Sequence, residues 1–155
     1  MKPIVRCLVP ILLTTALSAQ TPPPAQKPAG EPDRITVQHI LISFQGSAGT
    51  VPDVTRTQAE AKALAEKILG EARGGGDFPA LVKEHTDDRA PGIYKLANFG
   101  VEPILSPPSQ REYARARMVA AFGDVGFKLK PGEVGLAAYD PVKSKFGWHV
   151  IKRLE

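Results

Sequence analysis

Apolar and polar residues alternate along two stretches of the chain, and each stretch carries a histidine on its apolar side. In RITVQHILIS (34–43), the residues that share one face are Ile35, Val37, His39 and Leu41. In KFGWHVIKRL (145–154), the corresponding face carries Gly147, His149, Ile151 and Arg153. An alternation of period two is typical of a β-strand with one buried face. The pattern therefore predicts two strands that each place an imidazole among apolar side chains.

Two helices are predicted between the histidine-containing stretches. In TQAEAKALAEKILGEARGGGD (57–77), apolar residues recur every three or four positions, as in a helix with one buried stripe. Thr57 and Glu60 form a capping box at its start, and the run of glycines at 74–76 ends it. Asp77 is a suitable N-cap for a second, short helix, FPALVKEH (78–85). Both helices are thus delimited by local signals.

The rest of the chain carries weaker signals. IYKLANFG (93–100) and VGLAAYD (134–140) predict short strands, whereas the proline-containing VEPILSPPSQ (101–110) predicts irregular structure. REYARARMVAAFGDVGFKL (111–129) predicts a third helix, although two glycines weaken its second half. The order strand, two helices, strand, helix, two strands predicts an α+β fold, with a small, mostly antiparallel four-stranded sheet surrounded by helices.

The start of the chain is predicted to lie outside this fold. MKPIVRCLVPILLTTALSAQ (1–20) has two cations, a short apolar run and then small residues, which is the layout of a secretory signal peptide over 1–19. The Pro-rich segment 20–33 predicts an extended linker, and 34–155 the folded domain. An uncleaved membrane anchor is the alternative, but the apolar run is short for a membrane span. The leader predicts a periplasmic or secreted protein without stable membrane insertion after cleavage.

Composition argues against several classes of function. Cys7, within the leader, is the only cysteine, so the mature domain has no disulfide, no thiolate nucleophile and no Cys-ligated zinc. The 20 Lys and Arg residues fall to 18 once Lys2 and Arg6 of the leader are removed, against 16 Asp and Glu. These cations form no dense basic stretch, and this pattern argues against nucleic-acid binding.

Five segments of the chain belong together as a set. They are VQHILI (37–42), GGGDFPALVKEHTDD (74–88), LANF (96–99), MVAAFGDVGFKLKPGEVG (118–135) and PVKSKFGWHVIK (141–152). In this order and at these spacings they resemble the parvulin family of peptidyl-prolyl cis/trans isomerases, over nearly all of the predicted domain. The resemblance implies the small parvulin-like fold, which belongs to the FKBP-like superfold. It also implies catalysis of rotation about X-Pro peptide bonds without a cofactor.

The same resemblance implies roles for seven residues. It implies a polar floor to the site, where the two histidines meet across adjacent strands, formed by His39, Asp88, Ser144 and His149. It also implies an apolar pocket for the substrate proline, formed by Leu96, Met118 and Phe122. A third histidine, His85, precedes the TDD turn. The spacing of the three histidines is not typical of zinc ligands, so no metal is expected.

The sequence departs from the family's pattern in two places that bear on specificity. About a dozen residues, within 100–112, are inserted between LANF and Met118, which leaves the rim of the groove open to question. Some parvulins hold a phosphorylated residue before proline with Lys and Arg from the first loop. The corresponding loop here, SFQGSAGTVPDV (43–54), has no cation, so selectivity for phosphorylated substrates is not expected.

The implied chemistry needs no covalent step. Rotation about a peptide bond faces a barrier of about 18–20 kcal/mol, because the bond has partial double-bond character. A catalyst must stabilise the twisted amide, with an apolar cup that grips the proline ring and polar groups beneath the amide. Met118 and Phe122, four residues apart on the predicted helix, suit the cup.

Each of these assignments has a structural alternative. Met118 and Phe122 also have the spacing of an ordinary core pair, the histidines also suit a hydrogen-bonded structural pair, and Asp88 also suits a solvated turn. The function expected is folding assistance to extracytoplasmic polypeptides that contain X-Pro bonds. The alternative is a non-catalytic, peptide-binding chaperone module that uses the same groove. The sequence leaves the oligomeric state and the natural clients open.

Overall fold

The computed structural model describes residues 25–50 and 52–155, which form a five-stranded sheet and three α-helices. The signal peptide predicted over 1–19 and the first residues of the predicted linker lie outside the described residues. The strands are β1 (Arg34–Ile42), β2 (Ile93–Ala97), β3 (Tyr113–Ala114), β4 (Val134–Ala137) and β5 (Trp148–Arg153). The helices are α1 (Gln58–Arg73), α2 (Phe78–His85) and α3 (Ala120–Gly126).

The sheet has β1 and β5 near its centre. Its strand order is β3-β2-β1-β5-β4, and every neighbouring pair is antiparallel except β2 and β3. The predicted α+β class is confirmed. The sheet has five strands rather than the four expected, because the two-residue β3 adds a short parallel edge to β2.

The two faces of the sheet bury two separate cores. One face packs against α1 and α2 and includes Ile40, Ile42, Trp148 and Val150. The other face packs against α3 and includes Ile35, Val37, Leu96, Phe122 and Ile151. Successive residues of a strand point to opposite faces, so the alternation in the sequence decides which core each side chain enters. The histidines of β1 and β5 point to the α3 side.

The first two helices begin where their capping residues predict. Thr57 Oγ1 accepts a hydrogen bond from the Glu60 amide at 3.3 Å, and Glu60 Oε2 accepts one from the Thr57 amide at 2.7 Å. Asp77 Oδ1 accepts from the Ala80 amide at 3.3 Å and caps α2. Among residues 25–50 and 52–155, no helix combines the length and the apolar character that crossing a membrane requires.

The helix predicted over 111–129 is wrong in its first half. The chain forms β3, then a single 3₁₀ turn at Arg115–Arg117, and α3 begins only at Ala120. Met118 and Val119 between them are extended, with ψ of 162° and 134°. The interruption follows from burial of Arg115, which turns into the protein and takes the backbone off a helical path.

Arg115 forms a buried network of charged and polar groups. Its Nη1 donates to Glu31 Oε2 at 2.5 Å and to Asn98 Oδ1 at 2.9 Å, and its Nη2 donates to Asp124 Oδ1 at 2.8 Å. The side chains of Arg115 and Glu31 are only 4% and 9% exposed. Since Glu31 belongs to the predicted linker, the packed structure begins a few residues earlier than expected.

Aromatic rings and a glycine complete the setting of Arg115. Its guanidinium lies 4.6 Å from the ring centroid of Phe99 and 4.8 Å from that of Phe127, within range of cation–π attraction. A Cβ atom at Gly123 would lie 2.9 Å from Arg115 Cγ, so α3 has no side chain where the arginine stem passes. The arginine therefore fixes the position of α3, the helix that carries Phe122.

Replacement of Arg115 by Met is expected to lower the free energy of unfolding by about 3 kcal/mol, because Glu31 and Asn98 lose their partner in a buried place. Urea unfolding of the full chain measures this change. The control is Arg111→Met, which removes an exposed arginine and should change the free energy by less than about 0.5 kcal/mol. Equal changes in the two variants would contradict the role given to Arg115.

Candidate active site

The histidines of β1 and β5 are in contact on the α3 side of the sheet. The Nδ1 atoms of His39 and His149 are 3.3 Å apart, and the ring centroids are 5.4 Å apart with 26° between the ring planes. The register pairs His39 with Ile151 and His149 with Leu41, so the two rings are diagonal neighbours. They are 3% and 5% exposed. The structure thus brings together the two rings whose contact the resemblance to parvulins implied.

Two glycines allow the backbone to pass close to the histidine strands. The carbonyl oxygen of Gly92 accepts a hydrogen bond from the His39 amide at 2.9 Å, and a Cβ on Gly92 would lie 2.5 Å from the His39 carbonyl oxygen. Gly147 has a φ of +141°, and a Cβ there would lie 2.2 Å from the Ile42 carbonyl oxygen. Any larger residue would force these backbones apart, so both glycines help to set the position of the imidazoles.

Asp88 joins the histidine pair from the turn that follows α2. Its Oδ2 lies 3.2 Å from His39 Nε2, off the direction of a hydrogen bond, and accepts a hydrogen bond from the Tyr94 hydroxyl at 3.1 Å. Thr86 Oγ1 accepts from the amides of Leu41 and Asp88, which ties this turn to β1. The site is therefore a row of polar groups that runs from His149 through His39 and Asp88 to Tyr94.

The electrostatics of this row fix its charge state. The contact with His39, together with the Arg89 amide and the Tyr94 hydroxyl, holds the pKa of Asp88 well below its usual range. Burial and the Asp88 charge raise the pKa of Tyr94 to about 12. Burial, and secondarily the His39 ring, lower the pKa of His149 to about 3. Near neutral pH, Asp88 is thus an anion, Tyr94 a hydrogen-bond donor and His149 a neutral imidazole.

A cavity of about 580 Å³ opens above this row. The residues that line it are His39, Leu41, Gly49, Asp87, Asp88, Arg89, Tyr94, Arg117, Met118, Val119, Phe122, Phe146 and His149. Apolar side chains thus share the lining with two histidines, two aspartates, two arginines and a tyrosine.

Phe122 and Met118 contribute the apolar part of the cavity. The Phe122 ring meets His39 edge-to-face at a centroid distance of 5.1 Å and 90°, and His149 at 5.4 Å and 78°. Phe122 is buried, while Met118 is partly exposed just before α3. Because Met118 precedes the helix, the two residues do not share a helical face as predicted, yet both line the cavity.

Two of the predicted site residues lie outside the cavity lining. Ser144 is buried in the turn before β5, where its hydroxyl donates to the Gly147 carbonyl at 2.9 Å rather than to a histidine. Leu96 is fully buried in the core beside Phe122. It pairs with Ile35, near the start of β1 and away from His39, so the register keeps it below the cavity.

Sequence reasoning missed Tyr94, which lines the cavity from the strand that also carries Leu96. Tyr94 is two residues earlier on the same face of β2 and pairs with Val37, one step nearer His39. The alternation of β2 indicated the correct face, but only the register with β1 decides which side chain reaches the site. Two further lining residues, Arg117 and Phe146, carry no signal in the sequence beyond adjacency to Met118 and Gly147.

Known protein families and curated proteins share this sequence pattern. The family model described as PPIC-type PPIASE domain matches residues 25–155. The chain is 35% identical over 127 residues to the chaperone SurA of Chromohalobacter salexigens, covering 79% of this chain and 24% of that protein. It is 34% identical over 125 residues to a parvulin-like PPIase of Rickettsia prowazekii, covering 79% and 33%. The chain thus spans a third or less of the length of these relatives.

A solved structure shares the fold. The peptidyl-prolyl isomerase ESS1 from Candida albicans superposes with a TM-score of 0.57 at 19% identity, covering 79% of this chain and 63% of that one. At this identity the likeness supports the α+β architecture and carries nothing about the site.

The buried His149 is expected to make the fold less stable in acid. In the unfolded chain this imidazole takes up a proton near the ordinary histidine pKa of 6.5, whereas in the folded chain it does so only near a pKa of about 3. As the pH falls through this window the unfolded state binds more protons, so the free energy of unfolding falls by at most about 1.4 kcal/mol per pH unit. Urea unfolding at pH 7, 6, 5 and 4 measures the slope.

His149→Gln should flatten this pH dependence, because it removes the buried titrating group. The matched control is His85→Gln, since His85 lies on α2 beside Glu84 and does not line the cavity. The control should keep the slope of the unaltered chain. If His149→Gln and the unaltered chain lose stability in parallel, the buried imidazole is not the source of the acid sensitivity.

Proposed function

The chain belongs to the PPIC-type peptidyl-prolyl isomerase family, and from this membership we propose that it catalyses cis/trans isomerisation of X-Pro bonds in polypeptides outside the cytoplasm. The observation that carries the proposal is one cavity that is lined both by Met118 and Phe122 and by the contacting rings of His39 and His149. Apolar walls of this kind suit a proline ring, and the polar row suits the adjoining amide.

Catalysis of this reaction requires stabilisation of one conformation, the twisted amide. The two isomers of an X-Pro bond differ by only about 0.5–1 kcal/mol, but they interconvert in tens to hundreds of seconds because the planar amide is conjugated. In the twisted amide conjugation is lost, and the amide no longer has the resonance that favours the planar, polar form. A site that binds the twisted form more tightly than either planar form accelerates rotation.

The apolar side chains supply the grip and the dry surroundings. Met118 is partly exposed at the rim and Phe122 is buried at the base, so together they form a cup with an open edge and a fixed floor. Removal of water from the amide disfavours the planar, more polar form. The proline ring would stay in the cup while the preceding residue turns.

The polar row supports the site without transferring a proton. His149 is neutral near pH 7 because its pKa is lowered to about 3, so it supplies no imidazolium there. Asp88 is an anion, and an anion aimed at a carbonyl oxygen would repel it. We infer that Asp88 acts through its contacts with His39 and Tyr94, which it orients. The roles of His39 and His149 are then to shape and polarise the floor.

We propose that the leader directs the chain out of the cytoplasm. The support is the layout of residues 1–19, with Lys2 and Arg6 ahead of an apolar run and small residues near Ser18 and Ala19. Expression with the native leader in a bacterial host, followed by N-terminal sequencing of the exported protein, is expected to give a first residue at position 19 or 20. An exported protein that keeps Met1 would contradict cleavage.

A second function, binding of unfolded polypeptides without catalysis, is favoured by exposed apolar side chains beside the groove. Ile93 and Tyr113 are 48% and 40% exposed, and the Tyr113 ring lies 5.5 Å from that of Tyr94 in the cavity wall. Such residues extend the apolar surface that a client could contact. Suppression of client aggregation at equimolar protein, without a change in isomerisation rate, would favour this second function.

The isomerase proposal is tested by measuring cis-to-trans conversion of a short Ala-Pro peptide with the full chain. We expect a rate that rises linearly with protein concentration at catalytic amounts. Tyr94→Phe should lower kcat/KM by about tenfold, because the charged Asp88 loses the hydrogen bond that the Tyr94 hydroxyl donates to it.

The matched control for this variant is Tyr113→Phe. Tyr113 lies next to Tyr94 on the neighbouring strand, and its exposed ring is outside the cavity lining, so the activity of this variant should stay within about twofold. No acceleration by the unaltered chain would contradict the isomerase proposal. Equal losses in both tyrosine variants would contradict the role of the Tyr94 hydroxyl.

A further inference from the structure

Two arginines line the cavity from different elements of the fold. Arg89 follows Asp88 in the turn between α2 and β2, and Arg117 precedes Met118 at the end of the 3₁₀ turn. Both are exposed. Across residues 25–50 and 52–155, neither guanidinium lies within salt-bridge distance of a carboxylate. The cavity therefore offers two cationic groups that the protein itself does not neutralise.

Of the two carboxylates that line the cavity, Asp87 is paired with an arginine of the protein, and Asp88 contacts polar groups of the site. Asp87 Oδ2 accepts from Arg56 Nη1 at 2.5 Å, from the Ser43 amide at 2.7 Å and from the Ser43 hydroxyl at 2.8 Å. Asp88 accepts from Tyr94 and lies against His39. The Asp87 charge is thus paired within the protein, whereas among the described residues the guanidinium groups of Arg89 and Arg117 have no carboxylate within salt-bridge distance.

The surroundings of the arginines favour a carboxylate ligand. Met118, Val119 and Phe146 line the same cavity and give it apolar walls. A guanidinium is weakly hydrated and binds carboxylates with two parallel hydrogen bonds, so it loses little on partial burial. The Arg89 charge also reaches the polar row, since it opposes part of the rise in the pKa of Tyr94.

We propose that the groove selects X-Pro bonds with an aspartate or glutamate directly beside the proline, held by Arg89 and Arg117. This inference rests on the isomerase function proposed above and names its substrate class. Met118 and Phe122 line the same cavity as the two arginines, so a proline held between them would have its neighbouring residues within this cavity. The two charges lie in the walls of the cavity, whereas the first loop contributes Gly49 to the lining but has no cation.

The test compares peptides that differ in one residue beside proline. Glu, Gln and Lys are placed in turn directly before or directly after the proline, and kcat/KM is measured for the full chain at low salt. The Glu peptide is expected to exceed the Gln peptide by about threefold to tenfold in at least one position, and the Lys peptide to be slowest. At 0.5 M NaCl the ratio of Glu to Gln should fall toward 1, because exposed charges are screened.

Variants assign this preference to the arginines. Arg89→Gln combined with Arg117→Gln should bring the ratio of Glu to Gln close to 1, and Arg117→Glu should favour the Lys peptide. The matched control is Lys67→Gln, which removes a positive charge from an exposed position of α1, on the opposite side of the sheet. This variant should keep the ratio of Glu to Gln rates that the unaltered chain shows.

The outcomes separate this inference from the isomerase proposal. Equal rates for the Glu and Gln peptides, or a ratio that survives in the double variant, would overturn acidic selection and leave the isomerase function standing. A chain that isomerises none of the peptides would overturn both. A phosphoserine peptide that exceeds the Glu peptide by more than tenfold would replace the carboxylate with a phosphate as the group recognised.

Discussion

The site depends on the register between two antiparallel strands. With Ile151 opposite His39 and Leu41 opposite His149, both imidazoles fall on the α3 side and touch. A slip of one residue would turn either ring to the other face and into the core formed with α1 and α2. The register is maintained by apolar residues on both faces, so the same burial that stabilises the sheet also assembles the polar row. The histidine in each strand is thus a polar group that the core holds in place, which is why it can lie among isoleucines.

Much of the architecture was accessible from local signals. The faces of β1 and β5 follow from alternation, and the starts of α1 and α2 follow from Thr57 and Asp77, because a cap is satisfied by residues two or three positions away. The contact between His39 and His149 was accessible only through the resemblance to parvulins. The alternation along β1 and along β5 places each histidine on a buried face of its own strand. Nothing in that alternation says that the two rings lie on the same face of the sheet.

The features that the sequence did not predict depend on contacts between distant parts of the chain. Residues 111–129 have a helical apolar period, yet Arg115 finds Glu31 and Asn98, and this burial interrupts the helix. Leu96 was assigned to the pocket by resemblance alone, and the register of β2 with β1, which the sequence does not reveal, places Tyr94 rather than Leu96 in the cavity lining. In the helix over 111–129, a local preference gave way to a tertiary contact that involves residues elsewhere in the sequence.

The inserted segment bears on how the groove receives a polypeptide. Glu112, buried at the end of the insertion, accepts from Arg34 Nε at 3.0 Å and from the Ile104 amide at 2.9 Å. Arg34 also donates to the Glu102 carbonyl, so the insertion is fastened to the start of β1, away from His39. None of residues 100–112, all of which the structure describes, lines the cavity.

The insertion therefore does not contribute to the cavity lining, and the charges to which we assign client binding are those of Arg89 and Arg117. The two proposals thus assign different tasks to two parts of one cavity. In the function that we propose, the floor, with its neutral His149 and with Asp88 held by the Tyr94 hydroxyl, acts on the amide that twists. In the further inference, the exposed arginines bind the side chain next to this amide, because a charge in contact with water can hold a client without disturbing the buried histidine pair.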